Sequence, residues 1–248
     1  MSHQVVVNPY NIKYIPKATI RLSASPHIYG FDLDHTLIKP KTPNAIFAKT
    51  ADDWKYIEFT KGKLTIEKVY KIIEEDPLAI IVIFTNQGGV LTVPSSSKSY
   101  YKFNMKIKHI LENIKSHELG DELLKRLWIY SSTKKPASVK KSSGTSAKKG
   151  KVMKLTDLKG VNFSNSDGDS KRIVHPDDKF TEMRKPEIGM YSEFMQDISK
   201  KMDVLIDKKC WQWYCGDAAG RKSDFSDSDS AFADKIGIPF KLPEDVFR

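Results

Sequence analysis

Four short strings carry side chains suited to chemistry. The first is Asp32-Leu33-Asp34-His35-Thr36. Two carboxylates one residue apart repel, by about 4 kcal/mol at ~4 Å and an effective dielectric near ~20. A hard cation, or a proton on one of them, removes that cost. Side chains alternate along a strand, so i and i+2 share a face and can converge on one reacting centre. The second string, Thr85-Asn86-Gln87-Gly88-Gly89, combines a hydroxyl, two amides and two glycines that let backbone N–H groups approach an anion. The third, Arg184-Lys185-Pro186, reads as a helix start, which puts two cations beside a helix N-terminus where anions bind. The fourth, Gly216-Asp217-Ala218-Ala219-Gly220-Arg221, is followed by Asp224, Asp227 and Asp229, an acid-rich run that also suits a helix N-terminus. Each string alone fits an ordinary turn. Their order and placement carry the argument.

Placement follows from hydrophobic patterning. The short apolar runs Ile28–Phe31, Ala79–Phe84, Leu127–Tyr130 and Trp211–Cys215 read as buried parallel strands. Three amphipathic stretches lie between them. Ile66, Val69, Tyr70 and Ile73 form one apolar stripe, Phe103, Ile107, Ile110, Leu111 and Ile114 a second, and Ile188, Tyr191, Phe194, Met195 and Ile198 a third. Alternating strands and helices imply an α/β fold, an open, mostly parallel Rossmann-like sheet with helices on both faces. Ligands in such sheets sit beyond the carboxyl ends of the strands. Three of the four strings follow a predicted strand, and the third precedes a predicted helix.

Composition narrows the class. The 248 residues include 41 Lys+Arg against 31 Asp+Glu, a formal charge of +10, with 40% hydrophobic and 10% aromatic residues. That is enough apolar material for one sizeable core, and it excludes a disordered chain. The longest apolar run, Leu78–Phe84, is far short of the ~20 residues a spanning helix needs, so no membrane partner is expected. Met1–Gln4 has no secretory character, and the two cysteines, Cys210 and Cys215, fit a reducing compartment and make a zinc site improbable. Residues 1–248 read as one domain with two insertions, a Lys-rich one at 134–151 and a polar one at 160–180. The first holds seven lysines and no acid, and removing its seven charges from +10 leaves +3. It is a solvated loop, a contact for a phosphate backbone or a nuclear-import patch. Trp211, Trp213 and Cys215 are expected to share a core-facing side of one strand, and Tyr100, Tyr101 and Phe103 to pack in the core or stack on a base.

In this order, FDLDHT, FTNQ, RKP and GDAAGR resemble the haloacid dehalogenase superfamily of aspartate-nucleophile phosphatases. The longer strings, RKP with Gly189-Met190, then YCGDAAGR, DFSDSD and the closing Pro243-Glu244 with Phe247, are similar to the polynucleotide 3′-phosphatases of DNA end repair, most of all in their stand-alone fungal form. The resemblance runs from about Tyr29 to Phe247, outside the insertions. It implies a haloacid dehalogenase-like fold without a large cap domain. No GxxxxGK[ST] string is present, because Gly144 to Lys151 is one residue too long and Val152 replaces Ser/Thr, so a 5′-kinase activity is not expected. Many superfamily members have Gly where this chain has His35, which reads as a bystander or a substrate contact.

The resemblance implies Asp32 as nucleophile, Asp34 as general acid and then base, raised to neutral pH by its neighbour's charge, and Lys185 as the cation on the transferring phosphoryl group. Thr85 and the backbone around Asn86 would bind phosphate oxygens, and Arg184 and Arg221 the DNA backbone, with an ion pair to a nearby Asp equally open for Arg221. Mg²⁺ would be held by Asp32, the main chain of Asp34, and Asp217, with Asp224 orienting metal-bound water. Thr36 would buttress the loop. The expected activity is removal of a 3′-phosphate from DNA ends by a nuclear monomer. The other readings are a phosphatase for a small molecule or protein on the same fold, and a non-catalytic nucleic-acid-binding scaffold.

Overall fold

The run Ala79–Phe84 is apolar throughout because it lies in mid-sheet with helices on both sides. In the computed structural model, which describes residues 1–137, 176–203 and 206–248, it belongs to a seven-stranded sheet. In chain order the elements are β1 (His3–Val7), β2 (Asn11–Pro16), β3 (His27–Phe31), β4 (Ile38–Lys39), β5 (Lys55–Tyr56), β6 (Glu58–Thr60), β7 (Lys63–Leu64), α1 (Thr65–Glu75), β8 (Ala79–Asn86), α2 (Lys98–Lys115), α3 (Gly120–Leu124) and β9 (Leu127–Ser132). They continue with α4 (Pro176–Glu182), α5 (Gly189–Met202), β10 (Trp211–Cys215), α6 (Ser228–Ile236), β11 (Phe240–Lys241) and α7 (Pro243–Phe247). The large sheet runs β1-β2-β9-β8-β3-β10-β11. Its pairings from β9 to β11 are parallel, while β1–β2 and β2–β9 are antiparallel. The mostly parallel α/β sheet with helices on both faces is therefore present, extended by an antiparallel hairpin that the strand reading above does not contain.

Strand alternation divides the core in two. Ile81 and Ile83 of β8 join Phe31, Ile129 and the buried sides of α1, α2, α3 and α7. Ile80, Val82 and Phe84 join Trp128, Tyr130, Met190, Phe194 and Ile198 of α5 and Phe232 of α6. The five buried apolar residues of α2, Phe103, Ile107, Ile110, Leu111 and Ile114, each contribute roughly 1.5–3 kcal/mol of transfer free energy. That is what ties α2, and any polar group it carries inward, to the sheet.

The register of β10 departs from simple alternation. Its pairing with β3 shifts between Trp211 and Trp213. The irregularity turns Trp211 and Tyr214 toward α5 and α6, and Trp213 and Cys215 toward α1 and α7. The expectation of one shared face is corrected, and the shift is what aims Tyr214 at the site described below.

Chain order places the crevice. From β3 the sheet grows through β8 to β9 on one side and through β10 to β11 on the other. The direction of growth reverses between β3 and β10, so the loops after them part and leave an opening at the carboxyl edge. Between β3 and α1 the chain carries two two-stranded ribbons, β4–β5 and β6–β7. The Lys-rich segment lies outside the described residues from 138 onward, as does the polar segment up to 175; from Pro176 that segment is α4, with Phe180 buried against Tyr10. Among the described residues no helix is long and apolar enough to cross a membrane.

Candidate active site

At the reversal point the two loops bring three carboxylates together. Asp32 follows β3, Asp217 follows β10, and Asp229 stands in the first turn of α6; one oxygen from each lies within 4.8 Å of the others. Asp32 and Asp229 are buried. The Asp32 N–H donates to Cys215 O at 2.8 Å, stitching the two loops at their base. Asp217 is held by Thr36, whose hydroxyl donates to Asp217 Oδ1 at 3.2 Å and accepts the Asp217 N–H at 3.1 Å. The buttressing role of Thr36 is met.

Asp229 has no place among the site residues read from the sequence. Its signal was the DFSDSD run, in which only packing tells one acid from the next. Asp229 Oδ2 accepts the Ala218 N–H at 3.0 Å, and a Cβ on Gly216 would stand 2.3 Å from Asp229 Cγ. Glycine at 216 is therefore the condition for Asp229 to reach the cluster.

Lys185 closes the group. Its Nζ, with the residue 3% exposed, donates to Asp32 Oδ1 at 2.6 Å, Asp229 Oδ1 at 2.6 Å and the Tyr214 hydroxyl oxygen at 2.8 Å. Asn86 sets its backbone: the Asn86 amide donates to Lys185 O at 3.0 Å and accepts the Lys185 N–H at 2.9 Å, and Ser132 adds a bond to Asn86 Oδ1. The side chain of Asn86 thus serves Lys185 rather than standing free for phosphate. Arg184 and Lys185 sit in the turn between α4 and α5 rather than at a helix N-terminus, because α5 begins only at Gly189. Arg184 is exposed, with its guanidinium over Gly88, 3.1 Å from where a Cβ there would be. Thr85 is buried, and its Oγ1 accepts from Gln87 Nε2 at 2.9 Å.

Asp34 stands apart from this cluster. Lys106 Nζ donates to its Oδ1 at 3.0 Å and Gln87 Nε2 to its Oδ2 at 2.8 Å. Burial alone would raise this carboxyl, but Lys106 and Gln87 outweigh it and hold Asp34 below the ordinary range. The expected raised Asp34 is corrected: its charge is stabilised from α2, a partner far along the chain. Lys106 was legible as an anomaly, one lysine among the buried residues of the α2 stripe beside Phe103 and Ile107.

Asp224 is placed differently from the sequence expectation. Asp224 lies outside the carboxylate cluster. Its Oδ2 accepts the N–H groups of Ala219 and Arg221, and the bond from Arg221 Nε chiefly holds its carboxyl down at about 2. Arg221 itself is paired with Asp224 at 2.8 Å and Glu244 at 3.5 Å and donates to Asp217 O. Arg221 thus has the ion pair to a nearby Asp that the sequence left open, and both residues brace the Asp217 loop. His35 adopts a left-handed backbone, φ 66°, in the turn where many superfamily members have Gly, and its Nε2 lies 3.0 Å from Ile46 O.

Three carboxylates against one ammonium leave a surplus of two negative charges. Burial pushes the Asp32 carboxyl well above the ordinary range, and Asp229 and Asp217 add to this against the pull of Lys185. Burial and then Asp229 raise Asp217. Lys185 is raised, since the two carboxylates outweigh its desolvation. An all-oxygen donor set, in a group whose net charge with Lys185 is minus two, fits a hard divalent cation.

Comparison with known proteins agrees with this geometry. Residues 27–247 match the family model described as polynucleotide kinase 3 phosphatase. The chain belongs to that family. The chain is 41% identical over 255 residues to "Polynucleotide 3'-phosphatase" of Saccharomyces cerevisiae, with all of both chains covered. The protein of the same name from Saccharomyces mikatae is 40% identical, covering 100% of this chain and 97% of its own length. "Bifunctional polynucleotide phosphatase/kinase" of Schizosaccharomyces pombe is 29% identical over 92% of this chain but only 39% of its own length. The chain is accordingly a phosphatase, a phosphoric monoester hydrolase.

Proposed function

We propose that this phosphatase removes the 3′-phosphate from DNA ends, depends on Mg²⁺, and works through an aspartyl-phosphate on Asp32. The observation that carries the reading is the Asp32–Asp217–Asp229 cluster, in which Lys185 bridges the buried Asp32 and Asp229, at the reversal point of the sheet. The names of the full-length relatives supply the substrate class. Mg²⁺ would be held by Asp32, Asp217 and Asp229 and would supply charge neutralisation for the phosphoryl group.

The chain's own residues divide the remaining work. One Asp32 oxygen is tied to Lys185, and the carboxylate attacks phosphorus as the P–O3′ bond breaks. The departing 3′-oxygen takes a proton from Asp34. Water then attacks the acyl phosphate, Asp34 accepts its proton, and inorganic phosphate leaves with Asp32 restored. An ionised resting Asp34 suits the second half of this cycle; its proton for the first half is taken up with the substrate. Lys185 offsets charge on the transferring group. Arg184, exposed beside Gly88, is free to meet the backbone of the DNA strand.

The absence of a GxxxxGK[ST] string in the 248 residues supports a 3′-phosphatase without 5′-kinase activity. The Lys-rich stretch supports a nuclear location and a contact with DNA phosphates, and the protein acts as a monomer in strand-break repair. The test is an oligonucleotide bearing a 3′-phosphate, incubated with the protein and with Asp32→Asn, with and without Mg²⁺. Phosphate release by the unaltered protein only, and only with metal, is the expected result. Release from small phosphomonoesters or phosphopeptides but not from DNA would replace the substrate assignment, and turnover of nothing would leave a nucleic-acid-binding scaffold.

A further inference from the structure

Two aspartates one residue apart do different things here, and α2 is what separates them. Asp32 enters the carboxylate cluster. Both oxygens of Asp34 are already taken, Oδ1 by Lys106 Nζ at 3.0 Å and Oδ2 by Gln87 Nε2 at 2.8 Å. Gln87 also donates to Thr85 Oγ1 at 2.9 Å, so its amide cannot turn without breaking a second bond. The Lys106 side chain is 9% exposed, and its Nζ lies over the Phe103 ring, 5.6 Å from the ring centre. The Asp34 side chain is 40% exposed on its open side. Taking a lysine so far out of water is costly unless its ammonium is matched to an acceptor of fixed position.

We infer that Lys106 and Gln87 are positioning residues that clamp Asp34 from opposite sides, keep its carboxyl out of the Asp32–Asp217–Asp229 cluster and leave its open side to the departing oxygen. This rests on the role proposed above for Asp34 as proton donor and acceptor. A proton donor contributes on the order of 10²–10⁴-fold, and that contribution depends on hydrogen-bond-range placement. The clamp therefore matters most where the leaving group needs a proton.

The experiment compares two substrates, the 3′-phosphorylated oligonucleotide, whose leaving alkoxide is poor, and p-nitrophenyl phosphate, whose leaving group departs unprotonated. Lys106→Met, Gln87→Met and Asp34→Asn are measured on both, with thermal melting to verify folding and Lys106→Arg as the conservative variant. Lys106→Met is expected to lower kcat on the oligonucleotide about 100-fold with KM nearly unchanged, and kcat on p-nitrophenyl phosphate by under about 3-fold. Gln87→Met follows the same pattern more weakly, and Lys106→Arg recovers a tenth or more of the lost kcat. If Asp34→Asn discriminates between the substrates but both clamp variants do not, or if they lose both activities equally while remaining folded, the clamp is overturned. A Lys106→Met protein that does not fold shifts the decision to Gln87→Met, with the same two outcomes. If Asp34→Asn itself loses both equally, the proton-transfer role assigned to Asp34 fails instead.

Discussion

Replacing Lys185 with Met tests the charge balance of the cluster directly. The substitution keeps the length of the side chain and deletes the ammonium that donates to Asp32, Asp229 and Tyr214. The charge of the group goes from minus two to minus three, with Asp32 and Asp229 both buried. Removing one partner of a buried ion pair costs about 3–5 kcal/mol, because the remaining charge is left uncompensated. At about 2–4 °C per kcal/mol for a chain of this size, Tm should fall by roughly 6–20 °C in EDTA at pH 8. Two routes should return part of the loss. A divalent cation bound to the folded form at 100 times its Kd adds about 2.7 kcal/mol, so Mg²⁺ should raise Tm more in the variant than in the unaltered protein. Burial raises Asp32 and Asp217 above the unfolded carboxyl range; such carboxyls weaken the fold at high pH, and the penalty shrinks as pH falls below their folded pKa toward the unfolded value, so the deficit should also shrink as pH is lowered from 8. Circular dichroism melts under these conditions, with phosphate release measured in parallel, provide the assay. A Tm within about 2 °C of the unaltered protein, or no differential response to Mg²⁺ and pH, would refute the idea that Lys185 compensates a surplus of buried charge.

Gly216→Ala puts a methyl 2.3 Å from Asp229 Cγ, so it should cost about 1–3 kcal/mol in chemical denaturation and abolish phosphate release while Mg²⁺ and substrate are saturating. At position 35, where φ is 66°, His35→Val should destabilise by roughly 1–2 kcal/mol and His35→Gly should be close to neutral; equal effects in urea titrations would remove backbone conformation as the explanation. His3 is buried, with Nε2 2.8 Å from Leu127 O, and burial lowers its pKa to about 4. A histidine depressed in the folded state stabilises above its unfolded pKa of about 6.5 and loses that contribution as pH falls toward 4, by up to about 3 kcal/mol. His3→Gln should therefore flatten the stability profile between pH 6.5 and pH 4, and an unchanged profile would show that His3 is not the group that titrates.

The α/β class, the four parallel strands at the centre, the three amphipathic helices and the order of the site strings were all legible, because each is written in short-range periodicity or in a contiguous string. Asp32 and Asp217 were legible for the same reason, as residues that follow a recognisable strand, and Lys185 as part of a contiguous string, although it stands in a turn and not at a helix start. The antiparallel hairpin at the start of the chain was not read, although His3–Val7 and Asn11–Pro16 flank a turn at Asn8-Pro9, since alternation alone does not say which sheet edge a hairpin joins.

What remained hidden is non-local. Asp224, Asp227 and Asp229 are interchangeable as letters, and only the approach of α6 to Gly216 selects Asp229 for the cluster while Arg221 claims Asp224. The face shift within β10 depends on an irregular pairing with β3, which no property of Trp211 or Trp213 announces. Asp34 and Asp32 look equivalent until α2, 72 residues away, delivers Lys106 to one of them. Local chemistry determined which kinds of group this protein brings to the carboxyl edge of its sheet. Packing of distant segments decided which acids share a cation and which one is held apart, because charge interactions in a buried crevice depend on separations of a few ångströms that chain order does not contain.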